Sequence, residues 1–444
     1  MFDWYSPAAK RRAAELEQRY GRMAPGEVAA CVERELEAQA AWVDRGSINL
    51  NAASNLMNPR AERVLSSTAA GRPSLGHAGE KYETGLAHAE VVEHLAQSLA
   101  ARLFGARYVE FRALSGAMAN LFAYMALAKP GDAIISLSPG AGGHATHQTI
   151  GTAGLYGLRV HAAPWDPVRF DVDVEALSRL AARVAPRIIL VGGSLVLRPY
   201  DLDAVAAVAR GCGAALMFDA AHVGGLIAGG VYPAPLEHGA DLMTMSTYKT
   251  YGGPPGGLVL TNDMAIAQRL DAVAFPGMTA NFDVARVGAL AVATADLLEH
   301  GAAYARATVA NAQALAAALE REGFTVLGPR PERTQTHHVA VDARALGGGD
   351  AASLALEPAN VLATGIGMPL DEPWPGDQPA MRLGTQEVTR VGMGPAEMER
   401  IAGWMARALL RREDPVPIGD EVRAFRAGFQ EVRYVLDGDA VAAG

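Results

Sequence analysis

Two residues in one stretch of the chain suffice to suggest a chemistry. Asp219 and His222 stand in FDAAHVGG, and Lys249 stands further on in STYKTYGGPPGG. Each follows a short apolar run, 214–218 before Asp219 and 241–245 before Ser246. A lysine amine that is partly neutral forms an imine with an aldehyde. A carboxylate beside a pyridine nitrogen keeps that nitrogen protonated, and the ring then draws electrons from a carbanion. Together they are the pair that pyridoxal phosphate (PLP) chemistry requires. Singly, each has a plainer reading, Asp219 as a helix N-cap and Lys249 as a solvated loop lysine. The glycines around Lys249 favour the cofactor.

A phosphate needs backbone N–H groups at the start of a helix. LSGAMAN, with Ser115, Gly116 and Ala117, is a turn of small residues between a predicted strand and a predicted helix. His144, in GAGGHATH, follows another strand end, where an imidazole could lie flat on an aromatic ring.

The elements that must position these residues alternate along the chain. The first 45 residues have helical spacing with a break at Pro25-Gly26. Helical patterns follow over 90–104, with Val91, Leu95, Leu99 and Leu103 on one face, and over 116–128, 172–184 and 203–210. Short apolar strands are expected at 108–114, 133–137, 187–191, 214–218, 241–245 and 258–261. Strands separated by helices imply parallel pairing with both faces covered, and ligands then sit outside the carboxyl ends of the strands. After residue 285 two longer helices are expected, 287–298 and 304–322, before a smaller mixed segment. The expected fold class is α/β: a helical arm at 1–45, a large doubly wound, mainly parallel sheet domain at 46–285, and a C-terminal α+β domain at 286–444.

Composition narrows the function classes. The formal charge of −9 and the lack of basic clusters argue against nucleic-acid binding. No apolar run approaches a membrane span, and no leader is evident at the N-terminus. Two cysteines without metal-ligand spacing suit a reducing compartment, so a cytoplasmic protein with no metal is expected.

These motifs together resemble the serine hydroxymethyltransferase family of fold-type I PLP enzymes over nearly the whole chain. FDAAHVGGLIAGGVYPAPLEHGADLMTMSTYKT is similar to the family's stretch from the ring-nitrogen aspartate to the Schiff-base lysine. GAGGHATH resembles its GGHLTH loop, LSGAMAN its phosphate turn, and MRLGTQEVTRVGM its IRxGTxxxTxxG segment. The resemblance implies PLP on Lys249, with Asp219 on the pyridinium, His144 stacked on the ring, and His222 and Ser194 near the phenolic oxygen. Ser115, Gly116, Ala117, Ser246 and Tyr248 would complete the cofactor site, and Arg382 would grip the substrate carboxylate. It further implies a homodimer with an active site shared between subunits.

The departures concern proton handling. In the run 72–85 the family's acid–base glutamate falls on Leu75, its first tyrosine on Pro73, and the second tyrosine of its pair on Glu83. The histidine before the lysine is Tyr248, and the arginine after it is Pro255. Leucine cannot move a proton. The expectation is therefore an enzyme that makes or breaks the Cα–Cβ bond of a serine, threonine or α-methylserine type of amino acid without folate. Glu83 and His77 are the candidates for the base. Folate-dependent hydroxymethyl transfer, and a β-eliminating lyase or transaldolase, stand as alternatives.

Overall fold

The computed structural model describes residues 3–368, 374 and 378–436; residues 437–444 of the expected C-terminal domain lie outside the described residues. The chain opens on two helices, α1 (Pro7–Tyr20) and α2 (Pro25–Gly46). Pro25 sits in the first turn of α2, where its missing N–H leaves no bond unmade. α1 buries none of its side chains.

Twelve strands carry the sheets discussed below: β1 (Ile48–Asn49), β2 (Tyr108–Glu110), β3 (Ala133–Ser136), β4 (Arg159–Ala162), β5 (Ile188–Gly192), β6 (Ala215–Asp219), β7 (Leu242–Ser246), β8 (Gly257–Thr261), β9 (His338–Asp342), β10 (Val361–Leu362), β11 (Thr364–Ile366) and β12 (Ala380–Gly384). Seven form the central sheet in the order β2-β8-β7-β6-β5-β3-β4. β4, β3, β5, β6 and β7 pair in parallel, whereas β8 runs antiparallel to both β7 and β2. The sheet is thus mixed at one edge, where the short connection from β7 into β8 reverses the chain immediately after Lys249.

Alternation explains why its strands read as unbroken apolar runs. Ile134, Ile188, Leu190, Met217 and Leu242 enter the core on one face. Ile135, Ile189, Val191, Leu216, Phe218 and Met243 enter the core on the other. Both faces are covered, so the centres of the buried strands are apolar apart from Thr244 of β7, which is hydrogen-bonded to Asn120. A second core joins Leu315, Val341, Met381, Ile401 and Met405, and it includes Ile48 and Leu50. The reason is the parallel pairing of β1 with β10, which ties the segment after α2 to the C-terminal part of the chain.

Two helical expectations need correction. In α3 (Ala87–Phe104) the buried face is Glu93, Ala96, Ala100 and Phe104, while Val91 and Leu95 of the expected apolar stripe are exposed. Small alanines let α3 lie close to its neighbouring helix, and Glu93 is tolerated because Lys81 Nζ and Ser74 Oγ both bind it at 2.5 Å. That ion pair also anchors the base of the 76–81 hairpin. The two helices expected after residue 285 are one, α5 (Val284–Glu322), capped by Asp283 and ended by Gly323 in the left-handed region. Gly301 does not break it. The helix packs against the turn at Gly229, where a side chain would meet Gly301 O at 2.5 Å. Among the described residues no helix is long and apolar enough to cross a membrane.

Candidate active site

The carboxyl ends of β5, β6 and β7 meet at one place. Asp219 is the last residue of β6 and is 2 % exposed. Its Oδ2 accepts from His147 Nε2 at 2.8 Å and from Asn120 Nδ2 at 3.1 Å, and its Oδ1 accepts from the Ala221 amide at 2.8 Å. Burial alone would raise its pKa. The hydrogen bond and charge of His147, with the Ala221 amide, more than offset this, and Asp219 is held below the usual carboxylate range. Asn120 itself is fixed, because its carbonyl accepts from Thr244 Oγ1 at 2.7 Å and its amide also reaches Thr146 Oγ1 at 3.0 Å. His147 is fixed from behind by Tyr124 OH at 2.6 Å.

Lys249 lies in the loop beyond β7 and is buried. Burial pushes its ammonium pKa down to about 8, with Asp219 pulling upward and Arg382 adding to the fall. A lysine so placed is neutral in a useful fraction at physiological pH. Its backbone carbonyl accepts from Asn55 Nδ2 at 2.8 Å, and the ring of Tyr248 lies 5.8 Å from Nζ. His144 is half-buried, its Nδ1 bonded to Thr146 Oγ1 at 2.8 Å, and burial lowers its pKa to about 4. It is therefore a neutral, flat ring.

Helix α4 (Gly116–Leu127) starts beside β7. Ser115 caps it by accepting from the Met118 amide, and the first-turn amides of Gly116 and Ala117 have no acceptor within the helix. A Cβ at Gly116 would stand 2.2 Å from Ser246 Oγ. Glycine is what lets the helix start and the end of β7 approach this closely. The turn after β5 is equally tight: Gly192 and Gly193 have φ of 94° and 136°, in the region that favours glycine.

Arg382 closes the site from the other core. It lies in the middle of the three-stranded sheet β9-β12-β11, opposite Ala340 on one side and Thr364 on the other. Its Nη1 donates to the Ser194 carbonyl at 2.6 Å and approaches His222 Nε2 at 3.4 Å, while Nη2 reaches Thr364 Oγ1 at 3.4 Å. Among the described residues its buried Nε has no partner. Burial lowers its pKa to about 10, which still leaves it charged at neutral pH.

Of the residues expected from sequence, Lys249, Asp219, His144, His222, Ser194, Ser115, Gly116, Ala117, Ser246, Tyr248 and Arg382 gather around this cleft. His77 and Glu83 lie on the loop segment 76–85 instead. Among the described residues of one chain, neither hydrogen-bonds to that group: the exposed His77 ring pairs with Asp271 at 3.2 Å, and Glu83 Oε2 accepts from the Leu75 amide at 3.0 Å. Sequence reasoning missed His147, Asn120, Thr364 and His338. His147 was visible, three residues after His144 in the same motif, but its bond to Asp219 joins two distant loops.

Comparison with known proteins then fixes the kinship. The serine hydroxymethyltransferase family model matches residues 23–405. The chain belongs to the serine hydroxymethyltransferase family. It is 46 % identical to an alpha-methylserine aldolase of Variovorax paradoxus over 92 % of either chain. It is 45 % identical to an alpha-methylserine aldolase of a Ralstonia species, covering 88 % of this chain and 89 % of that one. Against a serine hydroxymethyltransferase of Pyrobaculum calidifontis the identity is 41 %, over 88 % and 91 % of the two chains. The chain is accordingly a PLP-dependent enzyme of the aldolase and hydroxymethyltransferase type, with the fold-type I architecture that its sheet displays. It acts on the Cα–Cβ bond of a β-hydroxy amino acid.

Proposed function

We propose that the enzyme is a folate-independent aldolase for an α-methylserine type of substrate, cleaving it to alanine and formaldehyde. The observation that carries this reading is the contrast at residues 75 and 83. Where the family's proton-handling glutamate is expected there is Leu75, and the Glu83 carboxylate is hydrogen-bonded to the Leu75 amide. A carboxylate thus stands beside the position where one is missing, on a different backbone. Glu83 is accordingly the base that takes the β-hydroxyl proton, in preference to His77, whose ring is turned to Asp271. As the Cα–Cβ bond breaks, formaldehyde departs and a proton returns to Cα, so that alanine is formed with no atom left over.

The residues fit PLP. An ionised, immobilised Asp219 suits the pyridinium; the close approach at Gly116 and the open amides of α4 suit a phosphate; Lys249 is poised for the aldehyde carbon. Bound there, the cofactor supplies the electron sink. Arg382, whose Nε is unpartnered among the described residues, suits a substrate carboxylate held by two parallel bonds. His144 suits stacking on the cofactor ring. Ser194, His222, Ser246 and Tyr248 would line its edges.

A homodimer is supported by apolar side chains left exposed on the arm and on α3, Val32, Leu36, Val91 and Leu95. In such a dimer the segment bearing Leu75 and Glu83 would serve a site shared between subunits. A cytoplasmic location is supported by the free thiols of Cys31 and Cys212. The functional reading is tested by measuring formaldehyde and alanine from α-methylserine with and without tetrahydrofolate. Equal rates are expected. Cleavage that requires tetrahydrofolate would establish the transferase instead, and pyruvate from a cysteine-type substrate would establish the lyase.

A further inference from the structure

Behind Arg382 lie three imidazoles to which the proposed reaction gives no task in holding substrate. His222, His337 and His338 are buried, and a ring nitrogen of each lies within 4.8 Å of the others. Three histidines at such spacing are a familiar metal-ligand set, but their hydrogen bonds speak for another role. His222 Nδ1 meets His338 Nε2 at 3.1 Å, and His338 Nδ1 meets the Val196 carbonyl at 3.2 Å. On the other side, His222 Nε2 faces Arg382 Nη1. Both nitrogens of His222 and of His338 are therefore engaged, and a permanent cation stands at the end of the row. A metal ion would have to break these bonds and sit against that charge.

The arginine end of the row decides where its protons lie. Arginine can only donate, so His222 Nε2 accepts and its proton is on Nδ1. His222 Nδ1–H then donates to His338 Nε2, and His338 carries its own proton on Nδ1, for the Val196 carbonyl. The Val196 amide also lies 3.2 Å from His338 Nδ1. Were that amide the donor, every proton in the row would shift by one place, and His222 Nε2–H would point at a guanidinium N–H. Two donors and a positive charge would then face each other. Burial, reinforced by the charges of Lys249 and Arg382, keeps His222 neutral, and burial likewise keeps His337 and His338 so.

The strand register explains why His338 can do this. Ala340 is paired with Arg382 and His338 with Gly384, so His338 lies two residues along β9 on the face that carries Arg382. Among the described residues the ring of His337 makes no hydrogen bond, and it lies nearly parallel to His222, with ring centroids 5.8 Å apart. It backs the ring of His222 without joining the row.

We propose that His338 is a positioning residue for substrate recognition: through His222 it fixes the Arg382 guanidinium so that the Nε–H and Nη2–H edge is presented to a carboxylate. Both Nη1 protons are used, by Ser194 and His222, so that edge is what remains for a ligand. The proposal rests on the reading of Arg382 as the carboxylate clamp.

Two variants and one measurement on the unaltered protein test it. His338→Leu removes both ends of the relay at similar bulk, whereas His338→Gln keeps a carbonyl for His222 and an amide N–H for Val196. Calorimetric titration of the holoenzyme compares α-methylserine with 2-amino-2-methyl-1,3-propanediol, which has a hydroxymethyl group in place of the carboxylate. The Leu variant is expected to bind the amino acid about 10-fold more weakly, as for loss of one hydrogen bond to a charged group. Its binding of the diol should be unchanged, and the Gln variant should restore amino-acid binding. Equal weakening toward both ligands, or none, overturns the proposal. Nitrogen-15 NMR of histidine-labelled wild-type protein is independent of either variant's folding: the His222 proton is expected on Nδ1, and a proton on Nε2 sinks the relay. Failure of the aldolase reading looks different. If the wild type discriminates the two amines by the carboxylate, His338→Leu loses that discrimination and neither releases formaldehyde, the aldolase is refuted and the role of His338 is supported.

Discussion

The floor of the cleft and the 72–85 segment differ in how firmly the protein holds them. On the floor, Asp219 receives three hydrogen bonds, from His147, Asn120 and Ala221, and each of the two side-chain donors is fixed in turn by another buried residue. In the 72–85 segment, only the Lys81–Glu93–Ser74 cluster at the base of the hairpin is buried; Tyr82 is 83 % exposed and His77 pairs with a partly exposed Asp271. The floor matches a cofactor whose demands do not vary among reactions. The segment carries Pro73, Leu75 and Glu83, which depart from the family pattern, whereas Tyr248 and Pro255 are the departures that flank Lys249. Rigid binding of a common group and variable proton chemistry are thus separated in space, and each can be changed with little effect on the other.

Lys249→Ala attacks the floor at its centre and has the largest expected effect: loss of turnover and of the visible absorbance of lysine-bound cofactor, with the fold intact by circular dichroism. Asp219→Asn comes next, with kcat reduced about 10²- to 10³-fold through loss of electrostatic stabilisation. Glu83→Gln should reduce kcat about 10²-fold or more, as for removal of a general base, yet leave cofactor affinity unchanged. His77→Asn should change neither. If Glu83→Gln weakened cofactor binding as much as turnover, the separation of the two regions would be wrong. Arg382→Lys, which keeps the charge but loses the fork, should raise KM for the amino acid about 10- to 100-fold.

The sequence made the floor legible because its residues sit in short motifs at strand ends, where an apolar run stops at a polar side chain. Asp219, Ser246 and Lys249 are all found this way. Arg382 is different: the apolar context of β12 explains its burial, and only the family resemblance implied its task. What stayed hidden depends on pairs distant in the chain. The His147–Asp219 bond crosses from the loop after β3 to the end of β6, and the His338–His222 bond joins the two cores. The exposed stripe of α3 was misjudged for a related reason. Apolar periodicity marks a face that is buried somewhere, and in one chain alanines packed on α5 take the inner side. The helices expected at 287–298 and 304–322 are one, and the contact of that helix with the Gly229 turn leaves no trace in local sequence.

Glu387 offers the smallest effect and the finest probe of how the floor is tied to its surroundings. It is buried, with Asn49 Nδ2 on both carboxylate oxygens at 3.0 and 2.9 Å and Ser54 Oγ on Oε2 at 3.0 Å. It thus anchors the 49–55 segment, whose Asn55 binds the Lys249 carbonyl. Burial raises its pKa to about 7, and the bonds from Ser54 and Asn49 only partly oppose this. Because the folded pKa lies above the unfolded one, the folded state binds more protons between about pH 4.5 and 7, and this contribution to stability falls as pH rises through that window. Over the whole window the loss is about 3 kcal/mol. Glu387→Gln removes the ionisation while keeping the shape. Relative to wild type, the variant should gain stability between pH 5 and pH 8 by an amount approaching that figure, measured from urea midpoints at the two values. A difference between variant and wild type that does not move with pH would mean that the Glu387 carboxyl keeps an ordinary pKa.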